Sequence, residues 1–157
     1  VVPPGPPFQG VRGVDAWGGG GYGARRVRSG QTYKHLGIDL LCEPGDLIVS
    51  PIEGSITHIG IAYAGSDLGS LHIVGAPDSP YGRLRAKLLY LGVTPTTRVG
   101  REVKAGEVVG VVQNISSYHA VTDAARAPMM NHVHFELFED ERNVNPAFYL
   151  VSTEVRA

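Results

Sequence analysis

From residue 38 onward the chain is a succession of short apolar runs broken by turn residues, with little room for a long helical repeat. The runs are "IDLLC", "DLIVS", "GSITHIGIAY", "GSLHIVGA", "LRAKLLYL", "EVVGVVQ" and "HVHFELF". Between several of them "CEPGD", "APDSPYG" and "VKAGE" put proline, glycine and aspartate where strands reverse. Such a chain is expected to form a mainly β domain with antiparallel sheet. A helical insertion is expected at "SYHAVTDAARAP", stopped by Pro128, and a short turn at "NPAFYL".

At 157 residues the chain is expected to hold one domain with a core of its own. Residues 1–20 read as a lead-in or linker, because "VVPPGPPFQG" is proline- and glycine-rich without periodicity, and residues 21–157 as the folded domain. The stretch "DAWGGGGYGARRVRSGQTYKH" reads as a long irregular loop pinned by Trp17 and Tyr22. Its glycines lack the Lys-Ser/Thr ending of a phosphate-binding loop. A formal charge of −1 offers no basic patch for nucleic acid or anionic membrane, and no apolar run approaches the roughly 18 residues of a membrane span. The chain begins at Val1 and shows no signal peptide, so a processed product or a piece of something longer is expected. The lone Cys42 excludes an internal disulfide and reads as a buried thiol beside Leu40 and Leu41.

Two stretches carry chemistry. In "NHVHFELFED" the alternation puts His132, His134 and Glu136 on one face of a strand and Val133, Phe135 and Leu137 on the other. In "KHLGIDL", His35, Gly37 and Asp39 share a face, and Gly37 leaves room for something bound between its neighbours. Four residues of extended strand span about 13 Å, so a shared ion requires the backbone to bend there. Each pair alone also fits a polar strand edge. Together, imidazole and carboxylate ligands suit Zn²⁺, and three protein ligands leave a fourth position open, as catalytic zinc sites do. Glu136 reads either as a partner orienting His134 or as a solvated carboxylate. His58 and His72 read as structural.

The segments "YGARR", "HLGIDL", "EPGDLIVSPIEGSI", "VKAGEVVGVV", "NHVHFEL" and "NPAFYL" follow one another as in the lysostaphin/LytM-type zinc endopeptidases of bacterial cell walls, which the chain resembles over about residues 21 to 150. The resemblance implies the antiparallel, duplicated hybrid motif-like sheet of that family, with long loops around a zinc groove. It implies Zn²⁺ held by His35, Asp39 and His134, and His132 exchanging protons beside a metal-activated water. It also implies a peptidoglycan peptide, stem or crosslink, as substrate and an exported, periplasmic, extracellular, phage or secretion-system address. Tyr22 and Arg25 match the loop ahead of the first ligand and are expected to touch substrate.

Active members of that family carry a second catalytic histidine at a strand end where "KLLYLG" here has Tyr90. A phenol, with a reference pKa of about 10, donates to an oxyanion but is a poor base at neutral pH. The tyrosine is similar to that of the leukocyte cell-derived chemotaxin-like branch, regarded as binding or signalling proteins, as is "IDLLCEPGD"; Arg85 stands where the mate of Cys42 would align. The expected function is therefore zinc-dependent cleavage of peptidoglycan peptides, the alternative being a weak or inactive zinc module that binds a peptide, glycan or protein. The long segment over residues 113–131 is expected either to roof the groove, with His119 reaching the site, or to be a solvated insertion.

Overall fold

The computed structural model describes residues 1–5, 11–13, 19–28, 30–116 and 130–150. Among them are antiparallel β-strands, helical backbone at Ile115 and Ser116, and a short 3₁₀ turn at Pro146–Phe148, as "NPAFYL" leads one to expect. The segment Ser117–Pro128, His119 within it, and Trp17 lie outside the described residues.

The strands are β1 (Arg25–Arg28), β2 (Gln31–Lys34), β3 (Ile38–Leu41), β4 (Leu47–Val49), β5 (Gly54–Ile61), β6 (Gly69–Gly75), β7 (Leu84–Leu89), β8 (Leu91–Val93), β9 (Glu102–Val103), β10 (Val108–Val112), β11 (His132–Glu139) and β12 (Arg142–Val144). The large sheet runs β12-β11-β7-β6-β5-β9, with β3 paired to the N-terminal half of β11. A smaller sheet, β4-β10-β8, supplies Ile48, Leu91, Val109 and Val112 to the same core as Ile38, Leu71, Ile73, Leu88, Val133, Phe135 and Leu137 of the large one. The period-two pattern of the apolar runs explains this, since each strand turns one set of side chains inward. On β11 the polar set of His132, His134 and Glu136 is buried too.

Three departures from the sequence pattern bear on the site. First, the glycine-rich stretch expected as an irregular loop contains the hairpin β1–β2, paired from Arg25 with Lys34 to Arg28 with Gln31. Its alternation is too polar to announce a strand, both strands lying off the main core. Second, "LRAKLLYL" is two strands. Tyr90 between them has φ 78°, a left-handed conformation rare for a bulky residue. There the chain leaves the large sheet for the small one: the Tyr90 N–H donates to the Gly69 carbonyl (2.8 Å), and its carbonyl accepts from the Gln113 N–H (3.0 Å). Third, the lead-in is in contact with the body. Val2 N–H donates to the Pro51 carbonyl, Val49 N–H to the Pro4 carbonyl, and Val11 bridges to Leu40.

Gly37 has a different role from the one its sequence context suggests. A Cβ on it would lie 2.3 Å from the Phe135 carbonyl oxygen, so the residue is glycine because β11 passes against its backbone. Gly37→Ala must therefore push β3 away from β11. We expect a loss of about 2 kcal/mol or more in chemical denaturation, accompanied by weaker metal uptake. An alanine variant as stable as the parent would contradict the close approach.

Candidate metal centre

β3 and β11 run antiparallel with Asp39 directly opposite His134 and Leu41 opposite His132. This register carries the polar face of one strand onto that of the other, and His35 enters from just ahead of β3. His134 Nδ1 lies 2.9 Å from Asp39 Oδ1, His35 Nε2 lies 3.1 Å from His134 Nδ1 and 3.2 Å from Asp39 Oδ1. His35, Asp39 and His134 are all buried and form a group of donors able to hold a metal ion.

The outer atoms of each ligand are tethered. His35 Nδ1–H donates to the Gly21 carbonyl (2.9 Å) and His134 Nε2–H to Glu136 Oε1 (2.9 Å), which leaves the inward nitrogen of each ring turned toward Asp39 Oδ1. Arg12, 2% exposed, donates from Nε and Nη2 to Asp39 Oδ2 (3.1 and 2.9 Å), so Oδ1 is the oxygen that faces His35 and His134. Arg26 Nη2 stands 3.8 Å from the same Oδ2.

The electrostatics follow from the crowding. Burial alone would raise the Asp39 pKa, but His132, His134 and His35 around it bring it well below the usual carboxylate range. For His134 burial favours the neutral ring, yet the hydrogen bonds to Asp39 and Glu136 outweigh it and raise the pKa to about 9. An imidazolium donating to a carboxylate at each end explains that value: the proton on Nδ1 supplies the positive charge that a metal ion would otherwise bring. Glu136 is itself held low, the pull of His134 overcoming its burial.

The donor set fits zinc. Tetrahedral Zn²⁺ with bonds of about 2.0–2.1 Å separates adjacent ligand atoms by about 3.3 Å. The donor edges of 2.9, 3.1 and 3.2 Å need to open by only a few tenths of an ångström.

His132 and Tyr90 adjoin this triad. His132 Nδ1–H donates to the Met130 carbonyl (2.7 Å), and its Nε2 lies 3.4 Å from Asp39 Oδ2. Burial lowers its pKa to about 4 against the pull of Asp39, so the ring is neutral near pH 7 with an acceptor nitrogen turned inward. The Tyr90 ring meets His132 edge-on, centroids 5.2 Å apart, and its hydroxyl is in close contact with that of Tyr63. Burial, then the neighbouring Tyr63, raises the Tyr90 pKa well above the ordinary phenol value. Of the remaining sequence candidates, Tyr22 donates to Asn143 Oδ1 (2.8 Å), while Arg25 is exposed on β1. Cys42 is buried, and burial pushes its thiol up to about 12.

Searches of solved structures return this architecture repeatedly. The catalytic domain of the antimicrobial peptidase lysostaphin from Staphylococcus simulans superposes with a TM-score of 0.57 at 21% identity, over 82% of this chain and 87% of that one. The fold is that of the lysostaphin/LytM-type peptidases. Helicobacter pylori Csd3 shares the LytM-type fold with a TM-score of 0.63 at 20% identity, over 98% of this chain but 33% of its own length. A zinc-containing peptidase from Vibrio cholerae gives 0.57 at 19% identity, over 85% of this chain and 39% of that one. Among curated proteins, Myeloid protein 1 of Gallus gallus is 40% identical over 57 residues, which are 36% of this chain and 17% of that protein. No family model matches the sequence.

The LytM-type fold thus brings His35, Asp39, His132, His134 and Tyr90 to one place. Arg12 and Tyr63 join them without a sequence signal, since Arg12 sits in a stretch with no pattern and Tyr63 at a strand end, and Arg26, the last residue of "YGARR", joins them with no role read for it in advance.

Two outcomes are expected. Because His134 keeps its inward proton up to about pH 9 and zinc must displace it, apparent zinc affinity should tighten by about tenfold per pH unit between pH 6.5 and 8.5 in chelator-competition titrations. A flat profile would contradict the bridging imidazolium. Arg12→Met should cost about 3–5 kcal/mol in the metal-free protein, because it strips the buried Asp39 of its fixed cation, and weaken zinc by about 10–100-fold. Melting curves and zinc titrations check this.

Proposed function

We propose that the protein is a zinc-dependent endopeptidase acting on the peptide stems or crosslinks of peptidoglycan. The observation that supports this best is the donor triangle of His35, Asp39 and His134 with a neutral, inward-facing His132 beside it. The fold relatives include the antimicrobial peptidase lysostaphin and a zinc-containing peptidase, which agrees with that chemistry.

Bound zinc would supply Lewis-acid polarisation of a peptide carbonyl and an acidified water. The chain's own residues do the rest. Arg12 and Glu136 hold Asp39 and His134 in place. His132 accepts a proton at Nε2 and returns it to the departing amine, its Nδ1–H remaining on the Met130 carbonyl. Tyr90 stays protonated and donates to the oxyanion that develops on the substrate. For that role Tyr63 must be the donor in the phenol pair, which leaves the Tyr90 O–H free. Tyr22 and Arg25 are assigned as substrate contacts, and so is His119, which lies outside the described residues.

Tyr90 also favours the second reading, a weak or inactive zinc module that binds a peptide, glycan or protein. A phenol with a raised pKa is no general base, and one missing acid/base group costs about 10² to 10⁴ in rate.

The deciding experiment follows amine release from purified peptidoglycans by the zinc-loaded protein, with and without chelator, beside His134→Ala and Tyr90→Phe. Expected are metal-dependent release, its loss in His134→Ala together with the zinc, and a reduction of about 10²-fold or more in Tyr90→Phe at full zinc content. Stoichiometric zinc without chelator-sensitive release from any wall chemistry would leave the binding reading in its place.

A further inference from the structure

The face of the large sheet that carries the metal centre continues past it. The register sets Lys87 of β7 opposite Glu136, His72 of β6 opposite Lys87, and His58 of β5 opposite His72. These side chains form a transverse row, one step along the strands from His134. The row does not end in the core: His72 and Lys87 are half-buried and His58 is exposed.

Its composition is basic and its negative partner is already engaged. Lys87 Nζ stands 3.9 Å from Glu136 Oε2, a long contact, while Glu136 Oε1 accepts from His134 at 2.9 Å. An ammonium has three donors, so Lys87 retains the capacity to bind another anion. The His58 and His72 rings lie with centroids 4.7 Å apart, and the His58 ring is folded over Gly60, where a Cβ would lie 2.6 Å from its Nε2. Glycine at that position gives the imidazole a place on the sheet surface. Arg85 flanks the row, tied to Glu141 and laid over the Phe138 ring at 4.0 Å.

The groups facing His72 are His58 of β5, Lys87 and Arg85 of β7 and Glu136 of β11. Burial first, then the neighbouring His58, Lys87 and Arg85, lowers its pKa to about 4 against the pull of Glu136. The ammonium of Lys87 and the guanidinium of Arg85 beside the two imidazoles favour an anion over a cation there. A divalent cation, the other ligand a histidine pair suggests, would meet the same repulsion from Lys87 and Arg85.

We propose that His58, His72 and Lys87 form a carboxylate-binding subsite beside the metal centre, selecting peptides with an acidic group about three residues from the bond held there. The spacing comes from sheet geometry. Strands lie about 4.8 Å apart and residues repeat at about 3.4 Å, which puts the space between Lys87 and His72 about 10 Å from His134. An extended peptide covers that distance in about three residues. The subsite rests on the peptidase reading for the identity of its ligand, but binding at it does not require cleavage.

The test uses the zinc-loaded protein and two acetylated, amidated alanine-rich pentapeptides differing only in Glu or Gln at one position, titrated by calorimetry in low salt. The Glu peptide should bind at least tenfold more tightly, and the advantage should shrink with added salt. Replacing His58, His72 and Lys87 together by glutamine should reduce the preference below twofold with zinc content unchanged. His72→Gln alone should reduce it by at least threefold, and serves if the triple replacement does not fold. A parental preference below threefold, or one that survives both variants, overturns the subsite. If the zinc-loaded protein releases no amine from peptidoglycan while the preference is present, the peptidase reading fails and the subsite stands.

Discussion

The Asp39 carboxylate organises the site. It is 2% exposed and stands among His35, His132, His134, Arg12 and Arg26, so neither the carboxylate nor the buried guanidinium of Arg12 is tolerable at this depth without the other. A buried carboxylate without compensation carries a desolvation penalty of several kcal/mol, and a buried guanidinium carries a similar one. The cluster exists because β3 and β11 pair in one register, and a slip of one residue would turn every polar member into the apolar core. This is why the polar face of β11 is buried where other strands turn theirs to solvent.

That dependence also explains the reach of the site beyond the two motifs. Oδ1 of Asp39 faces His35 and His134 because Oδ2 is held by Arg12, and Arg12 is held by a backbone that pairs with β3: its N–H donates to the Asp39 carbonyl. His134 presents Nδ1 because Nε2 is committed to Glu136, which in turn lies beside Lys87. The donor atoms turned into the cluster are thus chosen by groups outside the His35, Asp39 and His134 triad. The same chain of contacts links the centre to the basic row across β7, β6 and β5.

Much of the fold was legible in the residues. The apolar runs with turn chemistry between them correspond to β3, β4, β5, β6, β7–β8, β10 and β11, because period-two patterning and reversal residues act locally. The β1–β2 hairpin was not, since its polar, exposed strands carry neither signal, and Tyr90 broke a run that looked continuous because a left-handed tyrosine leaves no mark in composition. In the site, His35, Asp39, His132 and His134 were visible as two spaced motifs. Arg12 was invisible: nothing about an arginine in a proline- and glycine-rich lead-in says that it will be among the most buried side chains.

The sequence by itself determined the strands, the inward and outward faces of each, and the ligand types, because alternation and side-chain chemistry are properties of short stretches. Only the tertiary structure decided which atoms meet. Asp39 lies opposite His134 through a strand pairing between segments far apart in the chain. Gly37 is needed by the Phe135 carbonyl rather than by a ligand, and Tyr90 stands beside His132 because the chain changes sheets there. Those are long-range contacts, settled by the packing of one sheet on another, and no local pattern encodes them.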